Sequence, residues 1–149
     1  MLGLASDIRI AGESARMNAA FIKLGLSGCD VGVSYLLPRL VGASVASELI
    51  LTGRFIDAER ARELALVSQV VADDQLESAA QALVDELLRA SPLGLRLSKE
   101  CLNASLDAGS IDAVVAMEDR NQILCMQTGD FREGVHAFIE KRDPDFKDA

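Results

Sequence analysis

Residues 51–71 read LTGRFIDAERARELALVSQVV, and the order of signals in that run decides the class of fold. Gly53 stands where a left-handed helix end is expected, behind a helix with apolar positions at Val45, Ala46, Leu49 and Ile50 that Ser44 can cap. Asp57 then opens a second helix, AERARELA, because its carboxylate can accept from the N–H groups that a first turn leaves unpaired. Leu66-Val67-Ser68-Gln69-Val70-Val71 follows with the β-branched content of a strand. Helix and strand alternate within a few turns, which is an α/β pattern.

Toward the N-terminus, Asp7-Ile8-Arg9-Ile10 alternates polar and β-branched residues and stops at Ala11-Gly12, predicting a short strand with Ala15–Asn18 as a candidate neighbour. From there to Pro38 glycine punctuates the chain, and loop or short helix is expected. Toward the C-terminus the signals are helical. Asp74-Gln75-Leu76-Glu77 fits a capping box, and Leu76, Ala79, Ala80, Leu83, Val84, Leu87 and Leu88 recur at helical spacing behind it. Ser91-Pro92 and Ser110 start two further helices, the second ending near Gly129. Asp130-Phe131-Arg132-Glu133 repeats the capping-box pattern before a last helix that cannot pass Pro144. The expected organisation is a mixed region, residues 1–72, and a helical region, residues 73–149. No repeat, linker or low-complexity tract interrupts them. A strand this close to residue 1, with one or two candidate neighbours, makes no independently stable sheet, so a pairing partner outside the chain is expected.

Composition narrows the function. Half of the 149 residues are hydrophobic, yet charges recur throughout and no run approaches a membrane span, so no membrane-spanning segment is expected. The N-terminus lacks a basic stretch followed by an apolar run, and a cytoplasmic location is expected. Cys29, Cys101 and Cys125 are scattered, read as free thiols, and with a single histidine give no metal-ligand pattern. The net charge of −8 repels phosphate backbones, and with 4% aromatic residues and no Trp it argues against nucleic acid as a partner. An anionic ligand would need a local basic patch. There is no GxGxxG, P-loop, GxSxG or HExxH, which removes the main sequence support for dinucleotide redox chemistry, nucleotide hydrolysis and serine hydrolysis.

Two stretches stand out. In LGLSGCDVGVSYLLP, residues 24–38, Asp30 is the only formal charge between Lys23 and Arg39. It reads either as a turn carboxylate accepting from Val31, Gly32 or Val33, or as a group facing an apolar cleft, where desolvation would fit it to move a proton or attack an activated acyl carbon. The tail GDFREGVHAFIEKRDPDFKD sets Arg132, Lys141, Arg142 and Lys147 beside Phe131, Phe138 and Phe146. It reads as a solvated helix with aromatic anchors, or as a local patch offering rings to a purine and ammonium groups to phosphates. His136 stands alone and is assigned no role.

Taken in order, ASDIRIAGESARM, FIKLGLSGCDVGVSYLLPRLVG, LTGRFIDAERARELALVSQVV, with Ala65 where glycine is usual, and DFREGVHAFIEKRDPDFKD resemble the enoyl-CoA hydratase/isomerase (crotonase) superfamily over essentially the whole chain. The resemblance implies an incomplete ββα spiral followed by a helical region used for trimer formation, with a homo-oligomer, trimer or hexamer, expected. It implies acyl-CoA as substrate, coenzyme A entering only as part of it and no separate cofactor, and enolate chemistry held by two backbone N–H donors. Phe21, Leu24 and Leu26 fall in the segment that lines the acyl pocket, and Phe138 and Lys141 match residues that approach the adenine and phosphates. Aligned on Asp7, the family's oxyanion donors would lie before Met1, and its two hydratase glutamates would fall at about Met1 and at Phe21. Asp30 resembles the working aspartate of dienoyl-CoA isomerase-like and 4-chlorobenzoyl-CoA dehalogenase-like members. The expectation is therefore an acyl-CoA enzyme portion with Asp30 nearest the chemistry, inactive alone if the donors are missing. A different class also fits: a non-catalytic CoA-binding or assembly remnant completed by a separate N-terminal half.

Overall fold

Residues 2–148 are described by a computed structural model, the side chain of Leu2 excepted. Along the first half run α1 (Leu2–Ala5), β1 (Ile10–Gly12), β2 (Arg16–Met17), a 3-10 turn (Ala20–Leu24), α2 (Val33–Val41), α3 (Ala43–Thr52), β3 (Ile56–Asp57), α4 (Ala58–Glu63) and β4 (Gln69–Val71). A second 3-10 turn (Asp73–Gln75) leads into α5 (Leu76–Leu87), α6 (Pro92–Ser105), α7 (Ile111–Met126) and α8 (Gly129–Glu140). The chain divides into two compact units between Gln81 and Ala82, within α5.

In the first unit β1 lies parallel to β4, from Ile10 opposite Gln69 to Gly12 opposite Val71, and β2 lies antiparallel to β3. A parallel pair needs a crossover connection, and the chain that includes α2, α3 and α4 supplies it. Leu66 and Val67, expected to belong to the strand, instead form a turn buried in the core. Ala65 explains this: it ends α4 at φ 55°, the left-handed conformation that favours glycine, and Leu66 N–H then bonds Ala61 O at 2.8 Å. Arg9 O accepts both the Ser68 N–H and the Ser68 hydroxyl, at 2.8 and 2.9 Å, and regular pairing starts only beyond it.

Asp57 caps α4 as expected, its Oδ1 accepting the Arg60 N–H at 2.8 Å. Ser44 does not cap α3; the cap position is Gly42, two residues earlier, and it has no side-chain cap. Pro38 does not end a helix either: α2 runs through it to Val41. Leu37 from α2 and Leu49 and Ile50 from α3 bury against Ile56, Leu66 and Val67, with Ala46, Ala58 and Ala61 letting the backbones approach closely. Each large side chain among them contributes about 1.5–3 kcal/mol of transfer free energy. Gly28 touches this core directly: an added Cβ would stand 2.8 Å from both Ile50 Cγ2 and Ile50 O. Only glycine lets the loop that carries Asp30 come this close to α3.

In the second unit, Ser91, Ser110 and Thr128 cap α6, α7 and α8 with their hydroxyls. The capping box expected at Asp130 is not formed, because Thr128 Oγ1 already accepts the Phe131 N–H at 3.1 Å. The Asp74 capping box is absent too, the chain entering the 3-10 turn at Ala72 without a side-chain cap. Asn121 of α7 is buried against α6, its amide donating to Leu97 O at 3.3 Å and Cys101 Sγ at 3.2 Å. The apolar positions Leu76, Val84 and Leu87 of α5, and Leu88 just after it, are exposed.

Candidate functional site

A cleft of about 790 Å³ opens in the first unit. Leu4, Ile8, Met17, Phe21, Val33 and Leu37 give it an apolar wall, and among the described residues that line it Asp30 is the only carboxylate. Asp30 is exposed, and its local geometry satisfies the turn reading: Oδ1 accepts the Val31 N–H at 2.8 Å and its carbonyl accepts the Val33 N–H at 3.0 Å. Oδ2 has no protein donor among the described residues, so the turn uses one of the two carboxylate oxygens of a residue that also lines the cleft. The backbone here is strained. Val31, a β-branched residue, sits at φ 48° next to Gly32 at φ 87°, at a cost of about 1–3 kcal/mol for such a residue.

Phe21 borders the cleft from the 3-10 turn, but Leu24 and Leu26 do not. Gly25 ends that turn at φ 77°, and the Leu26 N–H bonds back to Phe21 O at 3.2 Å, leaving both leucines largely in solvent. Three polar cleft residues carried no local signal: Arg9, Arg16 and Asn18. Arg9 donates to Leu66 O at 2.5 Å and to the carbonyls of Gly3 and Ser6, stitching α1 to the turn before β4. Arg16 stacks over the Phe55 ring at 4.7 Å. The alternation around Arg9 marks it as polar, but nothing local to it reports a partner nearly sixty residues away. Among the described residues no three His, Cys, Asp or Glu side chains assemble a metal site.

The other singled-out residues lie in the second unit. Helix α8 ends in a Schellman geometry: Lys141 adopts φ 55°, ψ 43°, its N–H bonds Phe138 O at 3.3 Å, and the Arg142 N–H bonds Ala137 O at 3.0 Å. Glycine normally occupies that position, and a lysine there costs about 1 kcal/mol more. Behind it, Arg142 grips Glu133 with both Nη atoms, at 2.5 and 3.0 Å, and Glu140 with Nε at 2.7 Å. The Asp145 N–H adds a bond to Glu133 Oε1 at 2.9 Å. The Arg142 bonds, followed by the Asp145 N–H, pull the Glu133 carboxyl down to about 2. Arg142 is raised in turn by Glu133 and then Glu140.

Asp130, in place of a helix cap, is a buried anchor for the tail. Its two oxygens accept the N–H groups of Lys147 and Asp148 at 2.8 and 3.1 Å, and Ser91 Oγ lies 3.3 Å away. Arg96 closes the end of the tail with a forked pair to Asp148, which lowers the aspartate and raises the arginine. Phe146 lies over Gly134. Phe138 is 85% exposed, and among the described residues no carboxylate pairs with the Lys141 ammonium.

The family model for Enoyl-CoA hydratase/isomerase matches residues 1–149. The chain belongs to this family, within the crotonase superfamily. It is 43% identical over 148 residues to the Mycobacterium tuberculosis protein named "Probable enoyl-CoA hydratase EchA12", covering 99% of this chain and 52% of that protein. It is 41% identical over 145 residues to the 1,2-epoxyphenylacetyl-CoA isomerase of Escherichia coli, covering 97% and 55%. The crystal structure of an enoyl-CoA hydratase from Bacillus anthracis superposes with a TM-score of 0.93 at 36% identity, covering 98% and 56%. The fold is that of the crotonases, and the chain spans about half the length of the curated relatives it matches. In this hydratase/isomerase family chain, the resemblance puts a hydratase glutamate at Phe21, which lines the cleft and has no ionisable proton to transfer. The other such position, Met1, lies outside the described residues.

Proposed function

We propose that this chain contributes the C-terminal part of a site for acyl-CoA thioesters in enoyl-CoA hydratase/isomerase-type enolate chemistry, with Asp30 as the proton-transfer or nucleophilic carboxylate. One observation carries the reading: Asp30 is the only carboxylate among the described residues lining the apolar cleft, and its Oδ2 is unclaimed. An acyl chain in the cleft would displace water from around Asp30, whose carboxylate could then move a proton or attack the acyl group. Phe21 would give that chain apolar contact, with Leu24 and Leu26 supplying further surface beyond the cleft wall. Phe138 and Lys141 would meet the adenine and phosphates. Backbone donors for the thioester oxygen belong, by the resemblance, before Met1. One relative is named a hydratase and another an isomerase, which supports the thioester as the shared substrate and leaves the reaction to be measured.

The test is to assay crotonyl-CoA hydration and dienoyl-CoA isomerisation with the 149-residue chain and its Asp30→Asn variant. Turnover that falls at least about a hundredfold in the variant supports the assignment. Turnover untouched by the substitution removes Asp30 from the chemistry.

A second reading is a non-catalytic CoA-binding or assembly unit, completed by a separate N-terminal half or by further copies in a trimer or hexamer. Exposed Leu102, Ile111, Ile123, Phe131, Val135 and Ile139 on α6, α7 and α8 favour it. No helix of the described residues is long and apolar enough to cross a membrane, and the proposed setting is the cytoplasm. Size-exclusion chromatography with light scattering separates the readings: a well-behaved monomer without CoA affinity contradicts both the assembly and the role of the tail.

A further inference from the structure

We infer that Glu133 and Arg142 are positioning residues for the Lys141 ammonium, and through it for a phosphate-bearing ligand at the end of α8. The inference rests on the reading that Lys141 and Phe138 meet coenzyme A, but its ground is the backbone. Lys141 occupies a left-handed position that glycine fills most readily, so a lysine there needs its surroundings to hold it. The holding groups are on either side of it. Arg142, the next residue, is locked by Glu133 and Glu140, and the same Glu133 oxygen that meets Arg142 also accepts the Asp145 N–H. Residues 140–145 are thereby closed back onto α8.

The two adjacent cations of that closed turn have different surroundings. The Arg142 charge is matched by two carboxylates, and its planar fork suits it to a fixed bidentate pair. The Lys141 charge is matched by none among the described residues, and it follows the exposed Phe138 by three positions on the same helix end. A compact ammonium on a flexible stem suits a phosphate, provided the stem starts from a fixed point. Glu133 and Arg142 fix that point.

The experiment is calorimetric titration of coenzyme A into the 149-residue chain. Lys141→Ala is expected to weaken binding about tenfold, and Glu133→Gln by a comparable factor. In the Lys141→Ala background, Glu133→Gln should add less than about twofold, which loss of a merely structural bond would not reproduce. Lys141→Gly should weaken binding as the alanine variant does while raising the melting temperature by about 2–4 °C. Arg96→Gln, which frees the tail only at Asp148, should leave affinity within about twofold. Wild-type affinity in Glu133→Gln, with Lys141→Ala weakened, would sink the positioning role and leave the CoA reading standing. An equal loss in Arg96→Gln would do the same. No binding by the native chain, or full binding by Lys141→Ala, overturns the CoA reading and this inference together. Should Glu133→Gln fail to fold, Arg142→Lys keeps the charge without the fork and carries the same expectations.

Discussion

In the first unit, Leu37, Leu49, Ile50, Ile56, Leu66 and Val67 meet in one buried cluster, whereas the buried residues described in the second unit are Ala137 and the polar pair Asn121 and Asp130. One region excludes water with fully buried hydrocarbon; the other buries its larger apolar side chains, such as Leu93, Leu95, Leu97 and Val114, only in part and joins its elements as well through carboxylates, an amide and arginines. The difference teaches that the two should respond to different insults. Loss of packing should injure the first, and loss of charge should injure the second.

The largest expected effect breaks the hydrocarbon side of the comparison. Leu49→Ala should cost about 2–5 kcal/mol in denaturant unfolding, because a buried leucine leaves a cavity, while Leu102→Ala, 69% exposed, should cost less than about 0.5 kcal/mol. Equal costs would erase the contrast. An intermediate effect tests the polar side. In Asp130→Asn the amide can accept only one of the two backbone N–H groups that the carboxylate now satisfies, with an expected cost of about 1–3 kcal/mol. Hydrogen exchange should locate it, the Lys147 and Asp148 amides losing protection first. Unchanged protection there would deny Asp130 its role as the tail's anchor.

The smallest effect is a pH dependence. Glu133 is held at about 2, below its ordinary 4.5, so its contribution is complete above 4.5 and is lost as the pH falls from there toward 2. Acid should loosen the turn at 140–145 ahead of the first unit's core, and Arg142→Gln should flatten this response. NMR titration of the Glu133 carboxyl checks both; a midpoint near 4.5 in the native chain would contradict the clamp.

What could be read in advance follows the same division between local and distant causes. Asp57, Ser91 and Ser110 announce helix starts because a cap acts over three residues, and each caps where expected. Gly53 at φ 56° ends α3 for an equally local reason. Asp130 misleads because its cap pattern is genuine but Thr128 fills the role first, freeing its carboxylate for amides 17 and 18 residues away. Leu66 and Val67 mislead because β-branching and burial look alike in a short run, and only Ala65 hints that the chain turns there. At the candidate site, Asp30 was legible as the lone charge in an apolar stretch. That it serves a turn and lines a cleft at once depends on Gly28 lying against Ile50, a contact no local pattern encodes.

The pairing of β1 with β4 has a consequence in time. Ile10 meets Gln69, and Arg9 bonds Leu66 and Ser68, across separations approaching sixty residues. Such contacts form only after a long loop has closed, at an entropic cost that nothing local repays in advance. The helices of the second unit contain their own bonds and can form at once. On the ribosome the order of synthesis is reversed: Arg9 must wait for most of the first unit to emerge, its apolar strand unpaired, before the parallel ladder can close.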